Sequence, residues 1–150
     1  MKFMMIIKAD ASSEAGVMPD EKLLLAMGRY NQSLIDAGVL LAAEGLHPSS
    51  RGARVHVADG KRTVVDGPFA ETRELIAGFW MIQVKSREEA IEWARRVPFE
   101  VGGSTTAGGT GQIEVRQVFD AADFAPALEH STEGRALLDA EQAFRDRTNT

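Results

Sequence analysis

At 150 residues the chain has the size of one ordinary domain, long enough to bury about 68–70% of its unfolded surface unaided. Its hydrophobic fraction of 44% and charged fraction of 26% exclude a disordered chain, a collagen-like repeat and a bare coiled coil. A net charge of -5 lacks the basic field that phosphate backbones need, so no nucleic-acid partner is expected, and the absence of Cys removes disulfides, thiolate zinc sites, iron–sulfur clusters and cysteine nucleophiles.

The opening run Lys2-Phe-Met-Met-Ile-Ile-Lys8 has strand length and is apolar at successive positions, as suits a central strand covered on both faces. It is too short for a signal-peptide core, and no apolar run in the chain approaches the roughly 20 residues that span a bilayer. A cytoplasmic protein without a membrane partner is therefore expected. Ala11 to Met18 reads as a loop. Pro19 then takes a first helical position, Asp20 and Glu21 complement the helix dipole, and Leu23, Met27, Tyr30 and Leu34 form an apolar stripe widened by Leu24 and Ile35, with Gly38 as the stop. Gly28 inside this helix costs about 1 kcal/mol relative to Ala, which points to another backbone or a ligand approaching closely there.

Val39 to Glu44 reads as a second buried strand, and Leu46 to Gly52 as a loop of turn formers. Arg54–Ala58 and Lys61–Val65 alternate on either side of Asp59-Gly60, which predicts a hairpin with a type I′ turn, since Asp and Gly tolerate positive φ. A third apolar strand, Gly78–Val84, leads into Ser86 and Glu89, a capping box for a helix with the stripe Ala90, Ile91, Ala94 and Val97, ended by Pro98. Gly102 to Gly111 lacks a Lys-Ser/Thr ending and so reads as a flexible linker rather than a phosphate-binding loop. Gln112–Val118 alternates as a half-exposed strand. In the tail, Leu137, Ala140 and Phe144 recur at helical spacing between Gly134 and Arg147, which predicts an amphipathic helix that packs on its own core or clasps a partner subunit.

The order strand, helix, strand, hairpin, strand, helix, strand is a βαββαβ pattern with an inserted β-hairpin. It predicts an α+β, ferredoxin-like domain over residues 1–120, with two helices on one face of an antiparallel sheet and a helical extension over residues 121–150. Both central strands are apolar on both faces, so the second face also needs cover, and a homodimer is the expected solution.

Chemistry concentrates in Val65-Asp-Gly-Pro-Phe69 and the following Glu71-Thr-Arg-Glu74. Asp-Gly-Pro is a turn by composition, so Asp66 and Phe69 are expected in fixed positions. Either Asp66 caps the turn while Phe69 plugs the core, or Asp66, Glu71 and Glu74 border a pocket. Glu44 ends an apolar strand and is expected to share a face with Leu40 and Ala42. A carboxylate desolvated in an apolar cavity can serve as a general acid or base. The alternative pairs Glu44 with Arg54 or Arg116 and makes it a sheet brace. The candidate set is thus Glu44, Asp66 and His47 for proton transfer, and Tyr30, Phe69, Glu71, Trp80 and Arg54 for contacts with a small-molecule ligand. His47, His56 and His130 fall in a loop, a hairpin strand and the tail, with no pair at metal-site spacing, so neither a metal nor a cofactor is expected.

Asp66-Gly-Pro-Phe69 with Glu71-Thr-Arg-Glu74 resembles the signature of the DGPF-domain branch of the YCII-related family. Gly38, Glu44-Gly-Leu46, Pro48-Ser-Ser50, Gly78-Phe-Trp80, Glu89-Ala-Ile-Glu-Trp93 and Glu114-Val-Arg116 match in order over most of residues 1–120. The resemblance implies a dimeric α/β-barrel arrangement. Related barrels include lyases, isomerases and monooxygenases of small molecules, which implies a cofactor-free proton-transfer enzyme. Its association with sigma-factor systems implies the alternative of a non-catalytic binding or regulatory module. Shorter relatives are thought to use a His–Asp pair; here Met27 stands where the His would be and Asp36 near the acid position, so that mechanism does not carry over.

Overall fold

The computed structural model describes residues 1–101 and 111–148. The linker reading of Gly102 to Gly111 therefore lies, but for Gly111, outside the described residues. The strands are β1 (Lys2–Lys8), β2 (Leu40–Gly45), β3 (Ala53–Ala58), β4 (Lys61–Asp66), β5 (Ile76–Gln83) and β6 (Ile113–Gln117). The helices are α1 (Ala11–Glu14), α2 (Glu21–Asp36), α3 (Arg87–Arg95), α4 (Ala121–Phe124) and α5 (Thr132–Thr148). Four strands form an antiparallel sheet in the order β2-β5-β1-β6, and β3 pairs with β4 in a separate two-stranded sheet. The fold is α+β.

Alternation along the strands assigns the two sheet faces. Phe3 and Met5 of β1 and Trp80 and Ile82 of β5 join Tyr30 and Leu34 of α2, Ala90 of α3 and Val97 in one buried core. Phe3, Met5, Leu34 and Ile82 are at most 1% exposed, so this interdigitation is the main hydrophobic contribution to stability. Met4 and Ile6, Phe79 and Met81 point the other way and are half-buried. They line the face that α2 and α3 leave open.

Local chemistry sets the element ends. Asp20 is the N-cap of α2, its Oδ1 accepting from the Leu23 amide at 2.8 Å, so Pro19 precedes the helix instead of opening it. Leu24 and Ile35, expected to widen the stripe, are 51% and 54% exposed. Gly38 closes the helix at φ +67, where its lack of a Cβ is needed. Ser86 Oγ accepts from the Glu89 amide, while the Glu89 carboxylate reaches Lys85 N, one residue earlier than a capping box requires. The hairpin turns through Asp59 (φ 49) and Gly60 (φ 72), as its sequence predicts for type I′. Ala11 to Glu14, expected as loop, forms the single turn α1, with Asp10 Oδ1 accepting from the Ser13 amide.

In the tail, α5 is two residues longer at its start than expected and is preceded by α4 and a 3-10 turn over Ala125–Leu128. Gln142, Arg145 and Asp146 face Met1, Lys2 and Gln83 across a polar cleft of about 260 Å³. Leu137 is 61% exposed. Among the described residues no helix is long and apolar enough to cross a membrane.

Gly28 is the clearest departure from expectation: a Cβ built there meets no atom within 4 Å. The close approach is instead at Gly78, where a Cβ would stand 2.7 Å from the Glu44 carbonyl oxygen of the neighbouring strand. Gly28→Ala is accordingly expected to stabilise the protein by about 0.5–1 kcal/mol in urea unfolding. A loss of stability would show that something outside this chain packs on that position.

Candidate functional site

The expected site residues divide between the two sides of the sheet and the hairpin base. Glu44 is the fifth residue of β2 and pairs with Phe79. Phe79 pairs in turn with Ile6, and Ile6 with Glu114, so one row of the open face reads Glu44, Phe79, Ile6, Glu114. The next row reads Ala42, Met81, Met4, Arg116. Three strand spacings separate the two carboxylates, roughly 14 Å, too far to share a proton. Glu114 is held by Arg116 at 3.0 Å and Lys8 at 4.0 Å.

Glu44 is exposed and has no salt bridge among the described residues, so neither Arg54 nor Arg116 braces it. Leu40 does not share its face. A bulge between Leu40 and Ala42 leaves Leu40 opposite Ile82, on the helix side, while Ala42 and Glu44 alternate onto the open face. No residue between Leu40 and Ala42 signals the bulge locally, and Glu114 stands out in the sequence only within Glu114-Val-Arg116.

Tyr30 and Trp80 lie on the helix side, and the sheet itself separates them from Glu44. Tyr30 Oη donates to the Trp93 carbonyl at 2.9 Å, and its ring meets Trp80 edge-on at 5.4 Å between centroids. Trp80 Nε1 donates to Asn31 Oδ1 at 2.7 Å. Each polar tip is satisfied inside the core, as buried aromatic side chains require. Burial pushes the Tyr30 phenol up to about 12, with the Arg96 charge acting in the opposite direction.

The hairpin base is a clasp of three loops. Ser49, in the 3-10 turn Ser49–Arg51 after β2, donates through Oγ and N to the Glu14 carboxylate of α1. Its Oγ also accepts from the Phe69 amide at 3.0 Å. The Gly67 amide donates to the Gly52 carbonyl at 2.9 Å, and the Gly67-Pro68 bond is cis. A Cβ at Gly67 would collide with the Ser49 carbonyl oxygen, so only Gly allows this approach. Phe69 is half-buried outside the main core, with the Arg54 guanidinium carbon 3.9 Å from its ring centroid. Neither alternative for the turn holds in full: Phe69 packs on Arg54 instead of the core, and Asp66 is an exposed final residue of β4 opposite Ala53.

Glu71 and Glu74 are exposed around the 3-10 turn Thr72–Glu74. His47 is exposed, and its ring nitrogens lie 3.2 and 3.3 Å from Arg51 Nη1. The role of Glu14 depends on a partner 35 residues away and is invisible in its local sequence, which predicts only a loop. Among the described residues no group of three or more His, Asp or Glu side chains is arranged to hold a metal ion.

The β1 to β6 body and its clasped turn coincide with a known sequence unit. Residues 1–122 match the YCII-related domain. The chain belongs to the YCII-related family. An uncharacterised protein of Rhizobium meliloti (strain 1021) is 33% identical over 97 residues, 65% of this chain and 73% of that protein. The YCII-related match ends within α4, so α5 lies beyond it.

Two outcomes follow from this geometry. Gly67→Ala is expected to cost about 1–3 kcal/mol in chemical denaturation through overpacking against Ser49, and a change under about 0.5 kcal/mol would refute the clasp. Tyr30 is the sole tyrosine, so its phenolate absorbance can be followed directly. The folded chain holds this proton more tightly than the unfolded chain, so the phenol's contribution is present below pH 10 and lost as pH rises towards about 12. An ultraviolet titration of native protein should show phenolate only well above pH 10, and one in denaturant near pH 10.

Proposed function

We propose that the chain is a DGPF-type member of its family with a ferredoxin-like sheet, acting as a homodimer that takes a small organic molecule between two opposed sheet faces, with Glu44 moving a proton. The observation that carries this reading is the open face itself: Met4, Ile6, Phe79 and Met81 form an apolar centre, and Glu44 stands at the end of their row. Strand order β2-β5-β1-β6, with the first strand central, supports the ferredoxin-like arrangement. A second copy laid on this face would desolvate Glu44 beside Phe79, the condition under which a carboxylate exchanges protons efficiently near neutral pH. Glu44 would take a proton from an activated carbon of the ligand and return it to another position or to the leaving group, as isomerases and lyases require. No cofactor takes part in this scheme. Asp66 and His47, at the hairpin base and beyond the end of β2, would border the mouth of the cavity.

One observation favours a second reading, a non-catalytic ligand sensor of the kind linked to sigma-factor systems. Glu114 is about 14 Å from Glu44 across the sheet, and Tyr30 lies behind it, so neither stands beside Glu44 as a second acid or base.

Sedimentation velocity tests the dimer: a dimer at micromolar concentration is expected, with Met4→Glu shifting it to monomer, and a monomeric wild-type chain overturns the proposal. A thermal-shift ligand screen on wild type and Glu44→Gln then separates the two readings. The enzyme reading expects a ligand whose turnover falls by roughly 10²-fold or more in Glu44→Gln while binding persists. Binding without turnover in the wild type selects the sensor.

A further inference from the structure

We infer that Arg54, stacked on Phe69, anchors the anionic group of a small carboxylate- or phosphate-bearing ligand. The inference rests on the small-molecule reading above and adds the chemical class of the ligand. A guanidinium offers a flat face for stacking and five N–H donors around its edge. At 3.9 Å from the Phe69 centroid, Arg54 uses the face and leaves the edge. Among the described residues none of those donors meets an acceptor, and no carboxylate pairs with the group, in a chain with 22 acidic residues. Arg29, Arg51, Arg62, Arg73 and Arg135 also lack ion pairs there, but they are exposed, whereas Arg54 is half-buried. An oriented, partly desolvated guanidinium with its donors unused suits bidentate capture of a planar carboxylate or a phosphate.

The hairpin's alternation concentrates positive charge on this side. The cations Arg54 and Lys61 share one face with His56, Thr63 and Val65, while Asp66 shares the opposite face with Val55, Val57, Val64 and Arg62. The only carboxylate within β3 and β4 is thus turned away from Arg54. The clasp gives the arrangement its rigidity: Glu14 fixes Ser49, Ser49 fixes the Phe69 amide, Gly67 permits the close approach, and Phe69 supports the guanidinium. The turn that carries the family resemblance therefore serves to place one aromatic ring under one cation. An overall charge of -5 disfavours a polyanion more strongly than a small anion, which needs only the local charge of Arg54.

Calorimetric titration of the full chain at low ionic strength, with benzoate and with inorganic phosphate as probes, tests this. Wild type is expected to bind at least one probe with millimolar or tighter affinity, weakening as salt is raised. Arg54→Ala is expected to weaken it by about tenfold or more, and Arg54→Lys by about threefold or more because the fork and the stacking are lost while the charge stays. Phe69→Leu should weaken binding several-fold, with circular dichroism confirming that each variant is folded. Tighter benzoate assigns a carboxylate ligand, and tighter phosphate a phosphorylated one. Saturation by neither probe, unchanged affinity in Arg54→Ala, or unchanged affinity in Phe69→Leu overturns the inference. The site is built within one chain, so a monomer that binds benzoate through Arg54 defeats the dimer proposal alone. A dimer whose probe affinity ignores Arg54 defeats this inference alone.

Discussion

Burial of a central strand that is apolar on both sides is favoured on both, and among the described residues α2 and α3 cover one of them. β1 carries Phe3 and Met5 towards α2 and α3, where they are essentially inaccessible, and Met4 and Ile6 towards the other side, where they stay half-buried. That asymmetry organises the molecule. Tyr30 and Trp80, drawn into the helix layer, become satisfied core residues. Glu44, one pleat further along β2 than Ala43, is left on the opposite face with Phe79. The hydrophobic effect is proportional to area and indifferent to direction, so it is the pleat that decides which side chain is structural and which is available for chemistry.

The hairpin base obeys a different logic. It is held by hydrogen bonds and one steric exclusion in place of a large apolar surface. Ser49 serves as the hub, donating to Glu14 and accepting from the Phe69 amide, and the absence of a side chain at Gly67 lets the two turns touch. A two-stranded sheet is marginal in water on its own, so this anchorage sets the position of everything the hairpin carries. The stacked Arg54 and Phe69 pair is part of that load, and it sits apart from the four-stranded core.

Local signals proved readable where the physics is local. The type I′ turn at Asp59-Gly60, the Gly38 stop and the Ser86 cap each depend on residues a few positions apart, and all three stand as expected. Boundaries slipped where two local solutions compete: Asp20 caps α2 where Pro19 was expected to open it, and Ala11 to Glu14 closes one helical turn because Asp10 can cap it. The candidate site was harder to read. Glu44 and Phe69 were identified as residue types with chemical potential, but their surroundings come from the Leu40 to Ala42 bulge and from contacts across 20 and 35 residues.

The sequence by itself determined the order of the six strands and of α2, α3 and α5, the hairpin turn, the α+β class and the inventory of usable chemistry, because periodicity, turn stereochemistry and the absence of Cys are properties of short segments or of composition. Only the tertiary structure decided which residues meet. It placed Tyr30 and Glu44 on opposite sides of one sheet, joined Glu14 to Ser49 and Phe69, and set Arg54 on the Phe69 ring. The physical reason is that register and loop closure fix distances between residues far apart in the chain, and a one-residue shift in pairing would exchange the faces and reassign every side chain on them.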